Sequence, residues 1–522
     1  ANQFGKHYVQ AVAGYEQYYE KSSSYNLART NYEFQIDQIS VGPASTQTNG
    51  GSEGELGRAA WIGQFRYNNA NKCYAEASVR YDGSDYFAPG HRWGTFAGGS
   101  LGWVVTAEPW MKSIVDKNIF NMLKFRASYG QTGLDSSAGR FAYMQSYSLN
   151  ATSYVVDGAF ASGFTEGALP SPDLTWYTTT QTDAGFDFSS LNSRLYGSFD
   201  YFYYKTSGYL VSPTGQSYLN QVMGISMPKV KSDSEFRREG IEIQLGWRDT
   251  VGDFSYDIAG TYTWFDQLWA YDQSESESSY MNPYTRSQQS RGFFGNRYHA
   301  LGFYTSDTDI FNSVAYLAGI SSGQLAPGDL KYEDTNGDGQ ITDADLRHLG
   351  KSSMPRGQFG LNINLGWKGF YFSTLIQGST NYNLGLNGAN MMNSMQTAQW
   401  GDLLTRYDHM KNTWTPNNTN APYPRLMSNT NLNANNNFLS SDFWLVNCAY
   451  IRMKDFQFGY DFKYSALAKY DWLSRLRVGL SGQNLFTISN SKIYGIDPEN
   501  DGSQFGGYPI DRVIALTVNI GF

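Results

Sequence analysis

Cysteine is almost absent from this chain. Only Cys73 and Cys448 occur in 522 residues, which excludes a disulfide scaffold and any CxxC metal or redox site and leaves at most one long-range bridge. Histidine is as sparse: His7, His91, His299, His348 and His409 show neither HxH nor HExxH spacing, so a zinc site is unsupported. Charge is thin, at 16% of residues, and 39 basic against 47 acidic side chains leave −8, which provides no basic face for nucleic acid. There is no run of 18 apolar residues to make a helical span, and Ala1 opens without the basic and apolar stretches of a signal peptide. Pro-rich and Ser/Gly linkers are missing too. One architecture from end to end is therefore expected, rather than several soluble domains.

What is abundant is glycine, at 54 residues, and aromatic side chains, at 16%. With 41% apolar residues this is a chain that folds. The recurring unit is a segment of about ten residues with a period of two, the mark of a strand. From Lys72 to Gly83, Cys73, Ala75, Ala77, Val79 and Tyr81 share one face, while Tyr74, Glu76, Ser78, Arg80 and Asp82 share the other. Leu123, Phe125, Ala127 and Tyr129 likewise oppose Lys124, Arg126 and Ser128. At the chain end, Ile514, Leu516, Val518, Ile520 and Phe522 oppose Ala515, Thr517, Asn519 and Gly521.

Strands are expected over 7–20, 59–68, 72–83, 93–106, 120–130, 181–190, 192–205, 238–249, 253–265, 356–366, 369–379, 448–462, 473–487 and 509–522. Tight connections such as Asn68–Asn71, Asp249–Gly252 and Trp367–Lys368 alternate with excursions over 21–58, 131–180, 206–237, 266–355 and 380–447. Short links on one rim and long loops on the other are the asymmetry of an outer-membrane barrel, with periplasmic turns and extracellular loops. The fold class read here is all-β: a transmembrane antiparallel β-barrel of about fourteen strands. A soluble sandwich or propeller is the alternative, since its strands also alternate. Against it stand the arginines on the polar face, Arg80, Arg126 and Arg477, which no packed core accommodates. Lipid on the other face accounts for the pattern, because a closed barrel satisfies its backbone amides in hydrocarbon.

The sharpest local motif runs from Asp334 to Asp345, with oxygen-bearing residues at loop positions 1, 3, 5 and 12 and glycine at 6. Asp334, Asn336, Asp338, the Gln340 carbonyl, a water held at Thr342 and Asp345 make an EF-hand-type calcium set. Asp replaces Glu at position 12, which shortens the reach and keeps magnesium or an ion-free Asx-rich turn open as readings. Two GxSxG matches, around Ser100 and Ser321, lack the strand-turn-helix context of a nucleophile elbow, so no enzyme is expected. Loop residues Tyr382, Trp400, Tyr407, Trp414 and the run Asn429–Asn437 suit sugar rings or peptide backbones, or else pack the loops on one another. Residues 397–414 carry helical spacing at Leu403, Leu404, Tyr407 and Met410.

Eight separated stretches give the chain a family likeness. They are YAEASVRYDGSDYF (74–87), SLGWVVTAEPWM (100–111), NMLKFRASYGQTG (121–133), PDLTW (172–176), GDLKYEDTNGDGQI (328–341), YIRMKDFQFGYDF (450–462), LRVGLSGQNLFTISN (476–490) and the terminal strand. In these the chain resembles the C-terminal part of the SusC/RagA family of TonB-dependent outer-membrane transporters of Bacteroidetes. The resemblance implies a 22-stranded barrel, of which residues 1–522 are the C-terminal portion, with the plug and about eight strands upstream. It implies a SusD-like surface lipoprotein as lid, TonB acting through the missing N-terminal region, and Phe522 as the barrel-assembly signal. It also implies active import of oligosaccharides, or of peptides. Fourteen strands can alternatively close by themselves as a passive channel.

On the lumen side the substrate-contacting residues expected are Glu76, Arg80, Asp82, Arg126, Arg477 and Gln483, because polar positions alternating with lipid-facing ones line the interior. Arg80 and Asp82 can instead form a structural pair in the wall.

Overall fold

The computed structural model describes all residues except 35–37, 137–138, 212–216, 387–410, 427–435, 463–474, 495, 500–509 and 522. Its main element is a sixteen-stranded antiparallel sheet, and fourteen of those strands are nine residues or longer. They are β1 (His7–Ala28), β2 (Thr48–Asn69), β3 (Cys73–Ser84), β4 (Trp93–Val104), β5 (Met122–Leu134), β6 (Tyr177–Ser190) and β7 (Leu195–Ser207). Then follow β8 (Glu235–Val251), β9 (Phe254–Tyr271), β10 (Gly357–Trp367), β11 (Phe370–Thr380), β12 (Tyr450–Asp461), β13 (Arg475–Gln483) and β14 (Val513–Gly521). Each pairs with the next, so the topology is a meander. The two short members are Asn2–Phe4 on the edge of β1 and Thr487–Ser489, which continues along β12 where β13 stops.

Tight hairpins close the short-turn rim. Lys368 and Gly369 both take positive φ between the paired residues Trp367 and Phe370, the two-residue turn whose twist matches its strands. Gly252 supplies the positive φ between β8 and β9.

Register fixes the two faces. On one side Cys73, Trp103, Phe125, Phe186, Phe199, Ile243, Tyr262 and Phe359 follow one another across eight strands. One residue along, on the opposite side, the sequence is Tyr74, Gly102, Arg126, Gly185, Asp200, Glu242, Thr263 and Gln358. Among the described residues nothing packs on the apolar side: Leu101, Leu245, Ile514 and Leu516 are all more than half exposed. A water-soluble sheet could not leave such a band uncovered.

The buried clusters lie among the long loops instead. Tyr382, Leu384, Tyr423, Trp444, Val446 and Cys448 form one, and Tyr298, Leu330, Tyr332 and Ile341 another. A third joins Phe87, Phe96, Leu174 and Trp176 above β3 and β4. Gly133 admits Phe96 to that cluster, since a Cβ there would lie 1.9 Å from the ring. Gly133→Ala is expected to push Phe96 off Trp176 and cost about 1–3 kcal/mol, readable as a lowered thermal midpoint; an unchanged midpoint would show that the ring is not held there.

The structure corrects several expectations. Strands β1 and β2 run to Ala28 and back from Thr48, so half of the expected 21–58 loop is a two-stranded ribbon. Its Ser- and Gly-rich tip is exposed on both faces and so carries no alternation to read. The 131–180 loop contains an unforeseen hairpin, Tyr147–Val156 with Ala159–Glu166. The 473–487 strand ends at Gln483 and resumes as the separate Thr487–Ser489 segment. Closure as a fourteen-stranded channel is not found: among the described residues no ladder joins β14 to β1. Unpaired amides on two such edges would be costly in hydrocarbon. Of the expected 397–414 helix only the last residues are described, and Trp400, Tyr407, residues 429–435 and Phe522 lie outside the described residues.

Candidate functional site

The polar face is built by strand parity. Glu76, Arg80 and Asp82 alternate along β3, Arg126 sits on β5, and Arg477 and Gln483 sit on β13; all six share the face opposite the apolar band. The structure brings only some of them together. Glu76 and Arg80 border a groove of about 330 Å³ with Ser128, Gln181 and Asp183. Arg477 borders another of about 800 Å³ near the short turns, with Arg194, Arg248 and Asp257. Asp82 and Gln483 border neither.

Each of the four charged groups that the sequence placed on β3 and β5 has a partner. Arg80 Nη2 lies 3.0 Å from Asp82 and 3.5 Å from Glu16. Glu76 accepts from Gln64 and from Arg66 Nε, the latter at 3.1 Å. Arg126 donates to Asp200 at 2.6 Å and to Asp187 at 3.1 Å, which relieves the repulsion between Asp200 and the directly opposed Glu242. Arg477 donates to Asp461 at 3.2 Å and stacks 4.5 Å over the Tyr371 ring. These are ladders of wall pairs, and Arg80 with Asp82 is one of them. Sequence reasoning passed over the uncharged sector between them: Thr261, Thr263, Gln358, Asn362, Asn364 and Ser373 occupy polar-face positions on β9, β10 and β11. The signal was available, as those on β9 and β10 stand two or four residues apart, on one face of each strand. A surface of amides and hydroxyls offers both donors and acceptors to a neutral hydrophilic solute.

At the loop end of the wall stands a buried cation. Arg452 on β12 is 0% exposed. Its guanidinium reaches Asp497, Glu499 and Thr487 Oγ1, at 2.5, 2.5 and 2.8 Å. Glu499 also accepts from Tyr450 at 2.6 Å and Lys454 at 3.2 Å. This network ties the segment after β13 to the wall. In the loops, Tyr382 and Trp414 are buried, so they pack loops rather than present rings, and Asn437 donates to Asp329, itself clamped by Arg425 at 2.7 and 3.0 Å.

The 334–345 loop closes on its own amides. Asp334 accepts from Gly337 at 2.7 Å and Gly339 at 2.9 Å, Asn336 from Asp338, and Asp338 from Gln340. The Gly339 amide above all holds the Asp334 carboxyl below its usual range. Fully buried Asp345 accepts from Thr335 and Thr342, each at 2.8 Å. Beside it, burial and the bond to Asp343 push the Tyr298 phenol up to about 12. Among the described residues no three His, Cys, Asp or Glu side chains gather at metal-binding spacing. Neither GxSxG serine stands at a strand-to-helix elbow: Ser100 lies within β4, and Ser321 caps a single 3₁₀ turn.

Comparison with known proteins gives this wall its setting. The family described as TonB dependent receptor-like, beta-barrel matches residues 2–391. TonB-dependent receptor P3 of Formosa agariphila is 27% identical over 99% of this chain and 51% of its own length. TonB-dependent receptor SusC of Bacteroides thetaiotaomicron is 25% identical over 89% of this chain and 43% of its own. The chain thus spans about half the length of the curated relatives it matches. The RagAB peptide importer in its closed-closed state superposes with a TM-score of 0.73 at 18% identity, over 100% of this chain and 54% of that one. An apolar band facing outward, a polar face behind it and this match together settle the matter: the chain belongs to the TonB-dependent receptor β-barrel family, of SusC/RagA type, and its strands stand in the bacterial outer membrane.

Proposed function

We propose that these residues are the C-terminal portion of the wall of a transporter that imports oligosaccharides across the outer membrane. The observation that carries this reading is the continuous inner face of paired charges flanking an amide and hydroxyl sector. Such a wall hydrogen-bonds a neutral hydrophilic solute without trapping it. The rest of the polypeptide supplies the plug, the remaining strands and the segment on which TonB pulls. A SusD-like surface lipoprotein closes the mouth from outside. Peptides are the second reading, favoured by the likeness to the RagAB peptide importer. The test uses the full-length protein in its own outer membrane, with uptake of a panel of labelled oligosaccharides and peptides. Uptake should require both TonB and the lipoprotein. Uptake that persists without TonB would sink active import, and uptake of peptides alone would replace the first substrate class by the second.

We also propose that the 334–345 loop takes up calcium, with Asp334, Asn336, Asp338, the Gln340 carbonyl, Thr342 and Asp345 as its oxygen donors. What supports this is the Asx-turn series that winds the loop around Asp334. Calorimetry on the full-length protein should give a Kd of about 10⁻⁴–10⁻³ M, as in extracellular modules, lost in Asp334→Asn. Because the folded carboxyl of Asp334 is depressed, its bonds contribute fully above the unfolded value near ~3.9 and fade as pH falls through the lower folded value. Absence of binding heat at millimolar calcium would leave the loop an ion-free turn.

A further inference from the structure

The outward face of β3 to β7 is not an even wall. Trp103, Phe125, Phe186 and Phe199 make an aromatic ridge toward the short-turn end, with Leu123 and Phe188 in the row nearer the turns. In the next row away from the turns Leu101 of β4 projects between Ala75 and Ala127, while Ala127 and Ala184 on β5 and β6 drop the surface below the ridge, leaving between Leu101 and Tyr201 an apolar groove of about 690 Å³. It is continuous with the band that meets hydrocarbon. A chain lying in it gains dispersion contacts on several sides, where on a flat wall it would gain them on one.

The adjoining rim carries the parts of an interfacial anchor. The Trp103 indole N–H donates to Glu108 at 3.2 Å, and its ring lies 6.5 Å from that of Trp110, which is 63% exposed. Lys112 opens the short helix that ends at Asp116, and Lys117 follows it. Both lysines are exposed, and neither has an acidic partner among the described residues. An apolar groove ending at exposed tryptophan and free ammonium groups fits an amphiphile with an acyl chain and an anionic head.

We propose that this groove is a retained phospholipid site of the periplasmic leaflet, with one acyl chain over Ala127 and Ala184 and the phosphate at Lys112 and Lys117. The assignment rests on the family orientation, in which short turns face the periplasm. It does not depend on which solute is imported.

The test takes the full-length protein from outer membranes in mild detergent and measures bound lipid by native mass spectrometry. The wild type should keep a phospholipid. Ala127→Leu with Ala184→Leu should lower its retention several-fold, by removing the dispersion contacts that the groove gives an acyl chain beyond those of a flat wall. Lys112→Gln with Lys117→Gln changes only exposed side chains and should weaken retention of anionic phospholipids while heat-modifiable migration stays normal. Should the alanine variant fail to fold, the lysine variant and quenching of tryptophan fluorescence by brominated-chain phospholipid decide the matter. Equal retention in wild type and lysine variant with no quenching, lipopolysaccharide in place of phospholipid, or a groove variant that alters only oligomeric state would overturn the proposal.

Discussion

Ile243→Arg is expected to destabilise the folded barrel by about 2–4 kcal/mol, whereas Gln244→Arg, one residue along the same strand, is expected to cost little. Ile243 stands at the middle of β8 on the apolar row, flanked by Phe199 and Tyr262. A guanidinium there must either enter hydrocarbon or drag water and headgroups toward it. Gln244 stands on the opposite face, between Ser198 and Thr261, where an added cation meets water and hydroxyls. Denaturant titration of full-length protein folded into vesicles measures both variants against the wild type. The contrast matters more than either value. If both substitutions cost the same, the apolar row is not facing lipid, and the assignment of faces fails with it.

Arg452→Ala should be the most damaging single change at the mouth, at the low end of about 3–5 kcal/mol, because it empties a fully buried site and leaves two partly buried carboxylates without their cation. Arg452 is the only fully buried guanidinium among the described residues, and it holds both Asp497 and Glu499. Without it Lys454 still reaches Glu499, but no cation is recorded on Asp497. Arg452→Lys retains the charge yet cannot fork to two acids, so it should fall between the wild type and the alanine variant. Limited proteolysis across 490–499 provides a local readout, with cleavage rising in the order wild type, lysine, alanine. Equal protection in all three would mean that the segment is held by packing of Ile496 and Tyr494 rather than by this network.

Most of the wall could be read from residue order. The long strands lie within a few residues of their expected places wherever one face meets lipid and the other water. β3, expected over 72–83, runs Cys73–Ser84, and β10, expected over 356–366, runs Gly357–Trp367. The reading failed where that two-solvent contrast vanishes. The tip of the β1–β2 ribbon is hydrated on both faces, and the register of the Tyr147–Val156 hairpin shifts between Asn150 and Tyr154, so neither keeps the period of a wall strand. For the site, parity placed Glu76, Arg80, Asp82, Arg126, Arg477 and Gln483 on the inner face, but it could not pair them. Asp187 and Asp200 are 61 and 74 residues from Arg126, and nothing local announces that they converge on it.

The residues by themselves determined which face of each wall strand is oily, how many long wall strands there are and which rim carries the loops. Those properties follow from a period of two between solvents of opposite polarity, a pattern written within ten consecutive positions. Only the tertiary structure decided that the inner arginines are neutralised in place, that Arg452 is sealed under the segment after β13, and that two alanines align across β5 and β6 into a groove. Each of these depends on register between strands distant in sequence, and register is set cooperatively by the whole sheet rather than by any one of its segments.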